Sequence, residues 1–301
     1  MASAVLYGLG VPLAKLLLSN VEPVMLAGLL YFGAFIGLIV FGLFDAKKKT
    51  KAKIKKEEIP WITGVIFFGG ILAPISLMVG LTQVSGVAAS LMLNLEGVST
   101  ALIASLLFRE FTGKRFWFAL VFMTAAGILL SWNESGNFSI FGLMFVLLAV
   151  VSWGLDNNFT RKISSIEPVE ITKIKCFFAG VINLLLGLYL GAELFASIST
   201  VYAMIVGIFS YGVSIVLFIY ALRGWGAART GAFFSIAPFI GAIASIIILN
   251  ENTSWNLLFA FGLMAFGTWL ILSEKHSHGH YHGRIYHVHE HYHGDEHQHG
   301  H

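Results

Sequence analysis

Ten apolar stretches follow one another along this chain, at residues 2–18, 24–44, 61–81, 86–108, 114–132, 139–158, 169–192, 198–221, 228–249 and 255–272. Each approaches the roughly 20 residues that a helix needs to cross a hydrocarbon core. Lipid offers no partner to a backbone N–H or C=O, so each stretch must close its own hydrogen bonds as a helix. Composition agrees. Charged residues make up 12% of the chain, against about a quarter in a soluble domain. The fold expected is an all-α integral membrane protein with ten transmembrane helices. Residues 1–18 lack a cationic start and a small-residue cleavage site, so they read as a retained first span. The single cysteine, Cys176, lies in an apolar run and leaves no disulfide to form within the chain.

The chain also repeats itself. Tyr7-Gly8-Leu9 returns as Trp153-Gly154-Leu155. A cation follows eight residues after each aromatic, at Lys15 and Arg161, and each copy closes on Glu-Pro, at Glu22-Pro23 and Glu167-Pro168. Leu81 and Leu222 each end an apolar run, and Arg109-Glu110 and Asn250-Glu251 follow at equal distances from them. Such periodicity divides the chain into two halves, 1–132 and 139–272. Five spans per half is an odd number, so homologous halves must lie upside down relative to one another. That inverted-topology repeat is common among secondary transporters, whose substrate sites lie near the midplane between the halves.

Lys and Arg set the orientation. Residues 47–58, between the second and third stretches, hold seven lysines. With that loop in the cytoplasm, alternation places Arg109, Lys114, Arg115, Arg161, Lys162, Lys173, Lys175, Arg223, Arg229, Lys275 and Arg284 on the same side. Lys15 alone falls on the other side, with Glu22, Glu134, Glu193 and Glu251. Both termini are then cytoplasmic, and the membrane expected is a cell (inner) membrane. The lysine run reads as a topology determinant, with lipid binding as the alternative. Gly33 and Gly37, and likewise Gly187 and Gly191, have the GxxxG spacing that lets membrane helices approach closely, though glycine-rich helices show such pairs without it. Pro74 and Pro238 interrupt the third and ninth stretches, where a kink is expected.

Ionisable and polar residues deep in apolar runs carry the functional expectations. Glu96 sits midway along the fourth stretch, two residues after Asn94. It reads either as a proton-coupling carboxylate or substrate-amine ligand, or as a structural carboxylate bonded to neighbouring helices. Asp156 and Asn157 lie near the inner end of the sixth stretch and Lys175 near that of the seventh. Asp156 can pair with Lys175 or with Arg161, or these groups simply end their helices at the interface. Asn183 is expected at the depth of Glu96, facing it across a cavity. The candidate substrate-binding set is therefore Glu96, Asn94, Asp156, Asn157, Lys175 and Asn183.

Residues 273–301 are a different material. All eleven histidines lie here: His276, His278, His280, His282, His287, His289, His291, His293, His297, His299 and His301. Imidazoles in His-x-His series suit Zn, Ni, Co or Cu. The tail is expected to bind metal as regulator, buffer or bystander, and to be disordered without it. No P-loop, G-x-S-x-G, H-E-x-x-H or paired-cysteine motif occurs, so no enzyme or self-contained ATP-driven pump is indicated, and no cofactor is required.

The duplicated aromatic-Gly openings with their following cation and proline, the glutamates Glu110 and Glu251 after the fourth span of each half, and the Gly-rich last helices with Gly127 and Gly267 resemble the drug/metabolite transporter superfamily, in its EamA-type ten-helix branch. The resemblance covers about residues 1–272. It implies two inverted five-helix repeats around a central cavity, alternating access, and a cargo among amino acids, sugars, nucleotide derivatives or drugs, often moved outward. Where family members often carry an apolar residue and proline, the second half keeps Ala237-Pro238 and the first has Glu96-Gly97. The expected function is export of a small polar metabolite, with protons as a candidate coupling ion and Glu96 as their carrier. Divalent-metal efflux and a metal-responsive membrane sensor are the alternatives. Partners expected are the bilayer, a small-molecule substrate and divalent metal, but no nucleic acid. The chain would act as a monomer or homodimer.

Overall fold

A computed structural model describes residues 1–44, 54–108, 113–131, 140–163, 166–193, 198–273, 275–282 and 285–292. Its helices are α1 (Ala2–Leu17), α2 (Pro23–Phe44), α3 (Ile59–Gly64), α4 (Ala73–Leu81), α5 (Gly86–Met92), α6 (Leu95–Phe108), α7 (Lys114–Ser131), α8 (Ile140–Lys162), α9 (Pro168–Tyr189), α10 (Ile198–Val206), α11 (Ser214–Trp225), α12 (Ala227–Phe234), α13 (Ala237–Leu249) and α14 (Trp255–Leu272). Two π-helical segments bridge α3 to α4 (Val65–Leu72) and α10 to α11 (Gly207–Val213). Eight helical stretches are long and apolar enough to cross a membrane, and α1 is a shorter apolar helix. Large apolar side chains such as Leu106, Val121, Leu185, Ile247 and Phe259 face outward. That is the surface a bilayer solvates, and the protein is a multi-pass membrane protein.

The packing crosses between the halves. α2 lies along α9, α7 along α14, and α5 against α13. α1 packs on α13 and on the second π segment, while α8 packs on α6 and on the first. α2 meets the second π segment, and α9 meets the first. Exchanging the elements of one half for those of the other maps these contacts onto one another, except that α5 against α13 has no equally close counterpart between α12 and α6.

Glycine permits the closest approach. A Cβ on Gly33 would fall 2.4 Å from the Met204 carbonyl oxygen, so only glycine lets α2 lie this near α10. Gly191 does not share that role. It lies beyond α9 with φ 93° and nothing within 4 Å of a Cβ, and it terminates the helix, with Ala192 N–H reaching back to Gly187 C=O. The GxxxG spacing at Gly187 and Gly191 thus straddles a helix end.

Both third elements break α geometry in the same way. Ala73 N–H bonds Phe68 C=O, five residues back, and Ser214 N–H bonds Phe209 C=O. In the first segment Pro74, with no N–H, releases a further carbonyl. Two other interruptions face each other. α5 and α6 part at Leu93 and Asn94, and α12 and α13 part at Ser235 and Ile236, just before Pro238.

The backbone of β1 (Lys275–His282) and β2 (Ile285–Tyr292) pairs as an antiparallel ribbon. The strands alternate His with Tyr, Val and other residues, a pattern with period two that suits an extended chain.

Candidate substrate cavity

A cavity of about 410 Å³ lies between the two interrupted spans, within the size range of small-molecule sites. Its walls include Tyr7 of α1, Asn94 and Glu96 at the first break, Phe234 and Ser235 at the second, and Thr268 of α14. The breaks put these groups there. An intact helix would turn its backbone polar atoms inward, whereas a parted one exposes side chains and helix ends to the gap. Gly97, also at the wall, is exposed and has no atom within 4 Å of a Cβ position.

Glu96 is held on one side only. Asn157 Nδ2 donates to Glu96 Oε1 at 3.0 Å and to Thr100 Oγ1 at 3.1 Å, and Thr100 in turn donates to the Glu96 carbonyl. Asn158 Nδ2 bonds the Thr100 and Gly154 carbonyls, tying α8 to α6. Gly154 leaves space for Ser99 at this crossing.

Behind this layer sits a buried ion pair. Lys175 Nζ lies 2.7 Å from Asp156 Oδ2, with the side chains 18% and 4% exposed. Thr160 donates to the other Asp156 oxygen at 3.3 Å. The pair rests on the first π segment: a Cβ on Gly69 would fall 2.1 Å from Asp156 Oδ2, and one on Gly70 would fall 2.7 Å from Ala179 Cβ. The carbonyls released there are all used. Gly69 C=O accepts from the Tyr31 hydroxyl at 2.7 Å and from Trp153 Nε1 at 3.2 Å, and Gly70 C=O accepts from Asn183 Nδ2 at 3.0 Å. A buried carbonyl without a helical partner must find one elsewhere.

A clamp closes one end of the bundle. Lys15 Nζ donates to the Leu81 and Val84 carbonyls at 2.8 and 2.6 Å. The Glu251 carboxylate accepts from Gly86 N–H at 2.6 Å and from Val87 N–H at 2.9 Å, capping α5. A cation and an anion from opposite halves thus hold the turn between α4 and α5.

Of the sequence candidates, Asn94 and Glu96 line the cavity and Asn157 touches Glu96. Asp156 and Lys175 pair with each other in the next layer, and Arg161 is not the Asp156 partner. Asn183 is fully buried beside the π segment rather than on the cavity wall. The π-segment carbonyl at Gly70 draws its amide away from the gap. Ser235, Thr268 and Phe234 were not singled out in the sequence. Nothing in an apolar run marks which residues a break will expose, though Pro238 marks the break itself. The histidine side chains of the tail lie outside the described residues, and no cluster of metal-binding side chains occurs among the described ones.

A sequence profile of the EamA-like transporter family matches residues 1–132 and again residues 140–273. The chain belongs to the EamA-like transporter family. It is 27% identical over 271 residues to an uncharacterized transporter of Methanothermobacter thermautotrophicus, covering 84% of this chain and 78% of that one. It is 23% identical over 249 residues to an uncharacterized transporter of Clostridium kluyveri, covering 78% of each. A crystal structure at 18% identity superposes with a TM-score of 0.62 over 90% of this chain and 96% of that one, which shows a shared fold.

Proposed function

We propose that this EamA-like protein exports a small polar metabolite, amino-acid-like or related, by alternating access through the Glu96 cavity. The observation that carries the reading is the cavity's position: it lies where an interrupted span of each half faces the other. Ten crossings, with α1 and α7 joining the eight long apolar stretches, and inverted halves account for a packing pattern that largely survives exchange of the halves. With both termini and residues 47–58 in the cytoplasm, the Lys15–Glu251 clamp closes the outer end, while the cavity reaches toward the ends of α12 and α14 on the inner side. Release of that clamp would accompany the outward-open state. Glu96 is the residue to carry a coupling proton, because it is the one carboxyl group lining the cavity among the described residues.

The test is counterflow in proteoliposomes holding the full chain, with amines, amino acids, sugars and nucleosides trapped inside. Counterflow of one class, lost in Glu96→Gln, is the expected result. Absence of counterflow for every class would remove the transport route through this cavity.

A second reading, metal capture by the tail as a service to efflux or sensing, rests on the strand register. It sets His276 opposite His291, His278 opposite His289 and His280 opposite His287. Histidine at facing register positions is the residue type that Zn, Ni, Co and Cu prefer as ligand. Zinc titration of the full chain and of a version ending at Ser273 tests it, and equal uptake by both would set it aside.

A further inference from the structure

The proposed cavity also says what kind of charge it receives. Glu96 is acceptor-only when ionised, and just one of its oxygens, Oε1, receives a hydrogen bond. Two of the other polar wall groups have already spent a donor. The Ser235 hydroxyl donates to the Ala232 carbonyl at 2.8 Å, and one Asn94 amide hydrogen goes to the Leu91 carbonyl at 3.2 Å. Ser235 Oγ, Asn94 Oδ1 and Glu96 Oε2 are thereby left as acceptors. Thr268 Oγ1 is buried at the wall without a partner.

No Lys or Arg among the described residues lines the cavity. The nearest fixed cation, Lys175, is bound to Asp156, and the two act on Glu96 with opposite sign. Asp156 offsets Lys175, so no unpaired cation stands beside Glu96 among the cavity-lining residues. Beside them Tyr7 and Phe234 stand with ring centroids 5.1 Å apart, both on the wall. Aromatic faces attract cations and repel anions. The rest of the lining, such as Leu93, Met123 and Ile271, is apolar.

We propose that the cargo is an organic monocation, a protonated amine on a compact apolar body, seated with its ammonium on Glu96, Asn94 and Ser235. Three acceptors match the three donors of an ammonium. A carboxylate on the same molecule would find no cation here and would lose its hydration without compensation. The pocket therefore discriminates against zwitterions and anions of the same shape by leaving a charge unpaired. This assignment rests on the transport reading and narrows it.

The test uses one skeleton in four charge states: phenethylamine, phenylalanine, 3-phenylpropionate and 2-phenylethanol. Binding to the full chain in detergent is read by calorimetry, and counterflow is read in proteoliposomes. Phenethylamine is expected to bind about tenfold or more tighter than the other three, with that advantage lost in Glu96→Gln and kept in Glu96→Asp. Retention by the aspartate variant separates loss of charge from loss of folding. Tighter binding of phenylalanine or 3-phenylpropionate, or an amine preference that persists in Glu96→Gln, would overturn the proposal. Counterflow of phenylalanine without phenethylamine would overturn the cation assignment while leaving the transport reading standing. Counterflow of none of the tested classes would defeat both.

Discussion

The two π segments are the same backbone device put to two uses. In each, an N–H reaches five residues back and frees a carbonyl inside the bundle. Around Val65–Leu72 the freed groups organise polar chemistry: Tyr31, Trp153 and Asn183 converge on Gly69 and Gly70, and the Asp156–Lys175 pair rests against them. Around Gly207–Val213 the described contacts are uncharged: the Tyr211 ring lies 6.1 Å from that of Tyr7 and 6.0 Å from that of Tyr31, and the Ser3 and Ser214 hydroxyls bond each other's backbone carbonyls. Gly10 stands three residues after Tyr7, as Asp156 stands three after Trp153, and it faces Ser210. Gly212 lies against Ala34. The duplication therefore preserved the scaffold while charge accumulated in one copy. Under the transport reading proposed above, a backbone device shared by both halves serves two alternating states while the charged side chains gather in one of them.

The sharpest way to break this comparison is to strip one partner from the ion pair. Asp156→Asn or Lys175→Met alone should cost about 3–5 kcal/mol, because each leaves a buried charge without its mate. The double variant should recover much of that loss. Thermal unfolding in detergent checks both, and additive losses in the double variant would show that the groups do not act as a pair.

A smaller effect separates the segments themselves. Gly69→Ala drives a methyl into Asp156 and should cost about 1–3 kcal/mol. Gly212→Ala meets its nearest atom, the Ala34 carbonyl oxygen, at 3.0 Å, a contact relieved by a shift of a few tenths of an ångström. It should therefore cost clearly less. Equal losses in melting temperature would mean that the ion pair does not depend on the first segment.

How far the chain announces this arrangement differs by level. Hydropathy and the repeated Tyr7 and Trp153 motifs reveal the helices and their duplication, because lipid leaves no other backbone solution. Proline shows where the ninth span breaks, and Glu96 stands out because a carboxylate in an apolar run is costly. Asp156 had two eligible cations, Lys175 and Arg161, and only packing chose between them. The π segments left no local signature beyond the Gly69-Gly70 doublet before Pro74. A turn widened by one residue changes no hydrophobic pattern, yet it pulled Asn183 away from the cavity. The Ser235 and Thr268 walls were illegible for a similar reason: in a helix apolar all round, periodicity does not say which side faces a gap.

The clamp is expected to give a more modest loss. Glu251→Ala uncaps α5 by removing the acceptor for Gly86 and Val87, at about 0.5–2 kcal/mol. If the clamp also holds the outer end shut, a cysteine placed at Gln83 should label faster with a membrane-impermeant maleimide in that variant. An unchanged labelling rate would confine Glu251 to a capping role.

The smallest effect tests how redundantly the first π segment is satisfied. Tyr31 and Trp153 donate to the same Gly69 oxygen. Removing the hydroxyl in Tyr31→Phe leaves the indole N–H in place, so the carbonyl is not orphaned and the loss should be about 1 kcal/mol. Trp153→Phe should resemble it in the hydrogen bond while losing more in packing, since Trp153 is buried. Combining the two strips the carbonyl of both donors inside the bundle and should exceed the sum of the singles. Additivity would mean that the π turn relaxes toward α geometry and takes Ala73 N–H back. The second segment, where no such pair of side chains converges on a released carbonyl, would then be the better guide to how both behave.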